Sequence, residues 1–143
     1  MLAVPDAGVK LAGAGIGDHR WTTAYKRTLV TSRTRTTGLL ARTIAGLDSP
    51  PPVWLQGSAI GYYGDRGSQV LTETSASGDG FLARLIREWE AATAPAEQAG
   101  VRVVHARTGI VVSPDGGALG RQHQLLRLGV GGRRGPARQG WSW

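Results

Sequence analysis

The chain contains no cysteine, and this absence excludes several kinds of chemistry at once. Without a thiol there is no disulfide, no thiolate metal site and no cysteine nucleophile. The three histidines, His19, His105 and His123, share no spacing typical of metal ligands, so we expect no metal site. A chain without disulfides suits a reducing compartment, and we expect a cytoplasmic protein.

The sequence also lacks a long apolar run. No stretch approaches the roughly 20 residues that a membrane-spanning helix needs. The first residues have neither the basic nor the apolar region of a signal peptide. We therefore expect a soluble protein without a membrane partner, and the length of 143 residues makes one domain the default expectation.

Lysine is scarce, since 15 of the 17 basic residues are arginine. The net charge of +7 is uneven, because residues 1–47 carry seven basic and two acidic side chains, residues 48–99 carry three and seven, and residues 100–143 carry seven and one. No aromatic-basic alternation, zinc spacing or helix-turn-helix pattern accompanies the basic ends. We therefore expect no nucleic-acid partner.

Short apolar segments alternate with helical patterns along the chain. The segments Val9–Leu11, Val53–Leu55 and Val101–His105 predict three strands. The helical pattern between the first two begins near Thr22, runs straight or bends at residues 31–37, and stops at Gly46, while three prolines at 50–52 form a stiff connector.

A second helix is predicted between the second and third strands. Asp79 stands at the capping position, and Pro95 kinks or restarts the helix before Gly100 ends it. Its apolar residues recur on one face: Phe81, Leu82, Leu85, Ile86 and Trp89. Helical connections of this length imply parallel strands and an α/β layered domain. Beyond a turn at 114–117, a short helix is predicted around Leu119–Leu128, followed by an irregular tail at 129–143 rich in glycine and arginine.

The end of the second strand has the composition of a ligand site. Small residues at 57–59 lead into Tyr62 and Tyr63, which stand between Gly61 and Gly64. A strand that delivers a hydroxyl and two phenols to a glycine-hinged loop allows chain and ligand to approach closely. The pattern therefore predicts a site at the carboxyl end of a sheet strand.

Four blocks of sequence occur in an order that resembles the epimerase family, atypical extended short-chain dehydrogenase/reductases related to nucleotide-sugar epimerases. The blocks are LAGAGIGDHRW, GSAIGYYGDRG followed by LTE, FLARLIREWEAA and VRVVHARTGIVVSPDGGAL. The resemblance implies a partial Rossmann-type parallel sheet with flanking helices over residues 1–128, with about three core strands. It also implies an NADP or NAD cofactor and a small-molecule substrate.

The resemblance assigns catalytic roles to two residues. Ser58 matches the strand-end serine that bonds the reacting hydroxyl or carbonyl in related epimerases, although a serine there can also cap the strand or bond local backbone. Tyr62 matches a tyrosine that faces the substrate. Tyr63 is a substrate-side candidate that can equally pack against the sheet, and Arg138 is another that can equally be a solvated tail charge.

The resemblance also implies cofactor contacts at the ends of two strands. Ala12 and Gly13 match the small-residue step that passes the adenosine half of the cofactor, with an ordinary tight turn as the alternative. Arg107, Thr108 and Gly109 match the segment that passes the nicotinamide, although Arg107 can instead pair with an acidic neighbour.

The proton relay of the superfamily is absent from its usual place. Relatives there carry a tyrosine with a lysine four residues later, whereas this chain has Phe81 and Leu85, which cannot transfer a proton. Ser32 and Arg33 stand near the position of the asparagine that often completes the set, either as substitutes or as helix-surface residues. A second hypothesis is therefore a non-catalytic protein that senses a cofactor or binds a partner.

The glycine-rich turn that seats the cofactor pyrophosphate has no counterpart before Val9. The GAGIG run follows what would be the fourth strand of the fold, so it is not the dinucleotide fingerprint. We expect an internal fragment of a protein about twice as long, marginally stable because an edge strand has lost its neighbour. For the same reason we expect weak or no dinucleotide binding by the fragment itself.

Overall fold

Three strands and three helices alternate along the part of the chain that the computed structural model describes, residues 6–111, 113, 123 and 126–130. The elements are β1 (Ala7–Lys10), α1 (Thr23–Ala45), β2 (Val53–Ala59), a 3-10 helix (Ile60–Tyr63), α2 (Gly80–Ala91), α3 (Ala94–Gln98) and β3 (Arg102–Thr108). The order confirms the predicted succession of strand, helix, strand, helix, strand.

The strands form one parallel sheet in the order β1-β2-β3. Lys10 is paired with Gln56, and Ala59 is paired with Thr108, so the carboxyl ends of the strands lie along one edge of the sheet. This arrangement confirms the α/β class and the parallel pairing inferred from the helical connections. The proposed boundary between 128 and 129 stays a prediction.

Two strands extend further than their apolar runs indicate. β2 continues past Leu55 to Ala59, and β3 continues past His105 to Thr108. The small residues at 57–59 belong to β2 and pair with β3 throughout, which agrees with the strand-end position that the resemblance implies for Ser58. A strand that lies between two neighbours needs backbone hydrogen bonds more than large side chains to continue.

The helix ends follow the sequence signals with one exception. Thr22 caps α1 by accepting a hydrogen bond from the Tyr25 amide, and α1 runs as one helix through residues 31–37 to Gly46. Pro95 stands in the first turn of α3, and Gly100 follows that helix with φ of +85°. Asp79 occupies the capping position of α2, but its side chain makes no capping hydrogen bond.

One face of the sheet packs against the helices. Trp54 is fully buried with Ala41 and Ile44 of α1. A second cluster joins α1 to α2 through Leu29, Leu85 and Ile86. The stripe predicted for α2 is confirmed, because Leu85, Ile86 and Trp89 are buried while Phe81 and Leu82 are half-buried.

The buried hydroxyl of Thr37 links β1 to α1 and α2. The Lys10 ammonium and the Trp89 indole both donate hydrogen bonds to the Thr37 hydroxyl, at 2.8 and 3.0 Å. Burial lowers the pKa of Lys10, and the charge of nearby Arg33 lowers it further. Both cations lie over the Trp89 ring, which offsets part of the cost of burying them.

The other face of the sheet is more open. Val9, Leu55 and Val104 share one row across the three strands, with side chains opposite to the helix-covered face. Val9 is 64% exposed, and its two partners are only half-buried. The expectation of an edge strand at Val9 agrees with this arrangement.

No helix in the described ranges is both long and apolar enough to cross a lipid bilayer. Most of the helix predicted around Leu119–Leu128 and all of residues 131–143 lie outside the described residues. The same holds for the substrate-side candidate Arg138.

Gly78 is essential for the packing of residues 64–79, which form the loop between the 3-10 helix and α2. Its amide donates to the Tyr62 carbonyl at 2.9 Å, and a Cβ atom there would clash with the Tyr63 carbonyl oxygen. We predict that Gly78→Ala lowers the free energy of unfolding by about 2 kcal/mol, the usual cost of such overpacking. Urea unfolding measures the change. Gly46→Ala is the control, because its Cβ would make ordinary contacts, and an equal loss in both variants would contradict the prediction.

Candidate functional site

The ends of β2 and β3 bring most of the predicted site residues together. Ser58 is the register partner of Arg107, and Ala59 is the partner of Thr108. Tyr62 and Tyr63 follow at once in the 3-10 helix, with their rings packed edge to face at a centroid distance of 5.2 Å. The predicted catalytic residues and one predicted cofactor segment therefore share the carboxyl edge of the sheet.

A carboxylate from α2 lies at the centre of this group. Glu90 accepts two hydrogen bonds from Arg107, Nε to Oε1 and Nη2 to Oε2, both at 2.8 Å. Its side chain is only 12% exposed, so the pair is partly shielded from water. A bidentate pair of this kind fixes both side chains in direction as well as in position.

Ser58 donates its hydroxyl proton to the same carboxylate. The distance from Ser58 Oγ to Glu90 Oε1 is 2.6 Å, and the serine is 4% exposed. Neither a strand cap nor a bond to local backbone describes this contact, because the partner stands on a helix 32 residues later. The hydroxyl is therefore oriented by α2.

The ionisation of Glu90 follows from these contacts. Burial alone would raise the pKa of its carboxyl, but hydrogen bonds from Arg107 and Ser58 and the charge of Arg107 outweigh burial and lower it. The hydrogen bond to Glu90 is the main reason that the pKa of Arg107 is raised. Both groups are thus charged at neutral pH.

Arg107 has several partners within the protein. Its Nη1 donates to the Tyr63 hydroxyl at 2.9 Å and to the Glu73 carbonyl at 3.3 Å, while its Cζ lies 3.5 Å from the centroid of the Tyr62 ring. Arg107 thus pairs with an acidic neighbour, the alternative to a direct cofactor contact. Arg107 joins β3, α2, the 3-10 helix and the following loop.

The two tyrosines differ in surroundings. Tyr63 is buried, with its hydroxyl bound to Arg107. Tyr62 is half-buried against the cluster of Leu85 and Ile86, and the structure records no hydrogen bond for its hydroxyl among the described residues. Of the two phenols, Tyr62 has the hydroxyl available to a ligand.

A cleft of about 440 Å³ opens beside the ion pair. Its walls come from β3, the 3-10 helix and the following loop, and it is lined by Ile60, Tyr63, Leu71, Thr72, Glu73, His105 and Arg107. Ser58 and Tyr62 are not among the lining residues. Arg107 is therefore the residue that links the cleft to the predicted catalytic pair.

The turn after β1 contains a glycine because the chain there packs closely against Arg33. A Cβ atom on Gly13 would lie 3.0 Å from Cζ of Arg33, so glycine lets the chain pass directly over that guanidinium. Ala12 and Gly13 are exposed on their other side, where small residues leave room for a ligand at the carboxyl edge. Ser32 accepts a hydrogen bond from the Ala14 amide, so Ser32 and Arg33 both support this turn.

The remaining candidates are more peripheral. Thr108 donates its hydroxyl hydrogen bond to the Ser58 carbonyl at 3.2 Å and is exposed, and Gly109 follows it half-buried. Phe81 and Leu85, which the resemblance assigns to the relay positions, both pack in the apolar cluster between α1 and α2. Within the described residues, no group of three or more histidine, aspartate or glutamate side chains is arranged to hold a metal ion.

Glu90 is the residue that the sequence analysis missed. The apolar stripe predicted for α2 does not include Glu90, yet Glu90 follows Ile86 by four residues and Ala83 by seven. That spacing places Glu90 on the same side of the helix as two buried side chains. An acidic residue at such a position is a signal for a buried ionic partner.

Comparison with known proteins gives consistent matches. The chain is 45% identical over 138 residues to the epimerase family protein Mb2239 of Mycobacterium bovis, covering 96% of this chain and 45% of that protein. It is 36% identical over 142 residues to human epimerase family protein SDR39U1, covering 96% of this chain and 48% of the relative. The chain thus spans about half the length of the curated relatives it matches. No family model matches the sequence.

Solved structures agree with these matches. The crystal structure of human SDR39U1 (isoform 2) with NADPH superposes with a TM-score of 0.88 at 34% identity, over 99% of this chain and 49% of that one. A nucleoside-diphosphate sugar epimerase from Corynebacterium glutamicum superposes with a TM-score of 0.77 at 40% identity, over 92% of this chain and 27% of that one. The resemblance to the epimerase family and the Rossmann-like fold are both confirmed.

The Glu90 ion pair makes a prediction for stability. Because the pKa of Glu90 is lowered on folding, its contribution is complete above the ordinary value of 4.5 and is lost as the pH falls through the lower folded-state pKa. We predict that Glu90→Gln lowers the free energy of unfolding at pH 7 by about 2 kcal/mol and weakens its decline in acid. Urea unfolding from pH 7 to pH 3 measures both effects, with exposed Glu88→Gln as the control. Equal pH profiles for Glu90→Gln and the unmodified chain would contradict the prediction.

Proposed function

We propose, because the chain is homologous to about half of an epimerase family protein, that it provides the substrate side of an active site in an NAD(P)-dependent epimerase or reductase. The substrate is a small molecule, of which a nucleotide-sugar-like compound is one candidate. Ser58 and Tyr62 stand at the reacting centre. Tyr63 and Arg138 are the substrate-side candidates, the latter on sequence grounds alone.

The observation that carries this proposal is the fixed position of Ser58. A serine whose hydroxyl is merely structural needs no charged partner, whereas this one is held by a partly buried carboxylate that is itself fixed by Arg107. Groups that contact a reacting atom must be held within a fraction of an ångström. The Tyr62 hydroxyl beside this network, for which the described residues provide no hydrogen bond, is the second polar group that a substrate can meet.

NADP or NAD is the cofactor that we propose, supported by the human relative whose structure contains NADPH. When bound, a nicotinamide supplies or accepts the hydride of the reaction. Ala12 and Gly13 fit a close approach of the adenosine half of the cofactor because they are small and exposed at the carboxyl edge. Arg107 fits less well as a direct contact, since its hydrogen bonds already go to protein acceptors, and we assign it to positioning Glu90 and Tyr63. Thr108 and Gly109 remain candidates beside it.

A non-catalytic role is the second candidate function. Phe81 and Leu85 occupy the relay positions, and the proton of Ser58 is already directed to Glu90. A protein that binds a cofactor to sense it or to recruit a partner needs no proton relay. This alternative keeps the fold and the cofactor but removes turnover.

Substitution in a full-length relative separates the two candidates. We predict that Ala at the position matching Ser58, and Phe at the position matching Tyr62, each lower kcat about 10² to 10⁴-fold, the range for loss of a group that handles a proton. The measurements are cofactor absorbance at 340 nm, which detects net oxidation or reduction, and NMR of the sugar, which detects epimerisation, with a panel of sugar nucleotides and small carbonyl compounds. Ala at the position matching Ser68, which is exposed and does not line the cleft, is the control. Unchanged turnover in both variants would reject the catalytic role and favour the sensing role.

A further inference from the structure

Two polar side chains that line the cleft, His105 and Glu73, make no hydrogen bond to Ser58 or to the Glu90 carboxylate. The cleft has a volume of about 440 Å³, within the roughly 300–1,000 Å³ of small-molecule sites. Half-buried apolar side chains, Ile60 and Leu71, form part of its walls. The cleft therefore has the size and the mixed lining of a site for a small molecule.

The hydrogen bonds of Thr93 assign the tautomer of His105. Thr93 is fully buried, and its hydroxyl oxygen lies 2.6 Å from the Glu90 carbonyl oxygen, 2.7 Å from Glu97 Oε1 and 3.2 Å from His105 Nε2. A hydroxyl has one proton, and the carbonyl and the carboxylate can only accept it, so no proton is left for the ring nitrogen. Nε2 therefore carries its own proton and donates to Thr93.

The second ring nitrogen of His105 is then a hydrogen-bond acceptor. In a neutral imidazole with its proton on Nε2, Nδ1 presents a lone pair. The structure records no donor to this lone pair among the described residues. Because Thr93 holds the ring from the junction of α2 and α3 while the same ring lines the cleft, Nδ1 can accept from a group bound there.

Glu73 adds a second acceptor to the cleft. It is exposed in the loop after the 3-10 helix, and its backbone carbonyl accepts a hydrogen bond from Arg107 at 3.3 Å. That contact fixes the residue beside the cleft, whereas no hydrogen bond is recorded for its carboxylate within the described ranges. The carboxylate is therefore available to a hydrogen-bond donor of a ligand.

The charges around the cleft disfavour an anion. Arg107 is the strong cation of the lining, but its Nε and Nη2 atoms bind the Glu90 carboxylate, and its Nη1 atom binds Tyr63 and Glu73. Glu90 thus neutralises the guanidinium, and the Glu73 carboxylate adds a negative charge. A phosphate or a carboxylate would be repelled, whereas an uncharged ligand with several hydrogen-bond donors matches these groups.

We propose that the cleft binds a neutral, hydroxyl-rich group, with His105 Nδ1 and the Glu73 carboxylate accepting its hydroxyl protons. The inference rests on the proposed function, because the group is the non-reacting part of the same small-molecule substrate. Arg107 connects the two places, since it is the register partner of Ser58 and also lines the cleft. The apolar walls contact the carbon skeleton between the hydroxyls. His105 and Glu73 act here as binding residues.

Titration of the 143-residue chain with methyl glucoside and with myo-inositol, two neutral polyols, tests the site, with the isotope-labelled amides observed by NMR. We predict that at least one polyol shifts the amides of residues 71–73 and 105–107. The expected Kd is about 1 to 10 mM, the range for a ligand of about a dozen non-hydrogen atoms. Inorganic phosphate, titrated in parallel, should leave these amides unshifted.

Two amide variants separate the nitrogens of His105. His105→Gln keeps an N–H near the position of Nε2, and His105→Asn keeps an acceptor near that of Nδ1. We expect Kd to rise about tenfold in His105→Gln and less than threefold in His105→Asn, as for loss of one hydrogen bond in the former. Glu73→Ala should raise Kd about fivefold. Glu88→Ala is its control, because it removes an exposed carboxylate outside the cleft.

Three measurements on the unmodified chain do not depend on the folding of any variant. A long-range nitrogen–proton correlation spectrum above neutral pH should show the His105 proton on Nε2, and a proton on Nδ1 instead would overturn the assigned acceptor. Phosphate that shifts the same amides at equal or lower concentration would overturn the neutral class of ligand. No shift with either polyol would overturn the site.

The variants decide the roles of the two residues. An unchanged Kd in His105→Gln or in Glu73→Ala would overturn the role of the residue that was replaced. A variant is compared when its amide spectrum away from the cleft matches that of the unmodified chain. The proposed function fails separately, by unchanged turnover in the substitutions of the relative that match Ser58 and Tyr62.

Discussion

The ion pair between Arg107 and Glu90 is the contact on which the organisation of the site depends. It ties the end of β3 to α2, and the same two side chains hold the Ser58 hydroxyl, the Tyr63 hydroxyl and the Glu73 carbonyl. Desolvation of a partly buried ion pair costs free energy. The pair therefore contributes more to the orientation of the side chains around it than to the stability of the fold. If either partner is removed, the other remains charged in a confined space, and the hydroxyls that they orient are released together.

Two arginines bind backbone carbonyl groups at residues 63–78, near the site. Arg66 donates to the carbonyls of Tyr63, Ala76 and Ser77, and Arg87 donates to the carbonyl of Gly78. A loop that lacks regular structure has many backbone acceptors, and a guanidinium with five donors can satisfy several of them at once. The abundance of arginine in the sequence, which suggested nucleic acid only weakly, thus corresponds here to fastening a loop over the sheet edge.

The strands and helices could be predicted from the sequence more readily than the contacts between distant side chains. The strands, the helices and the parallel order follow from hydrophobic spacing, from Thr22, Pro95 and Gly100, and from connection length, all of which act locally. The bond from Ser58 to Glu90 joins residues 32 positions apart, and no local pattern specifies such a pair. The sequence likewise predicts only that Gly13 lies in a turn. Its contact with Arg33 forms when α1 packs beside β1. The contact of Lys26 on α1 with the Phe81 ring on α2 is another pair that no local pattern specifies.

The hydrogen bond from Ser58 to Glu90 also sets the polarity of the site. A serine hydroxyl has one proton, and when that proton points to a carboxylate only the lone pairs of the oxygen face a ligand. An alcohol can meet those lone pairs with its own proton, whereas a carbonyl oxygen offers only further lone pairs and is repelled. For the substrate-side role that we propose for Ser58, this resting arrangement matches the reduced form of a substrate, and recognition of the oxidised form requires the serine proton to turn away from Glu90.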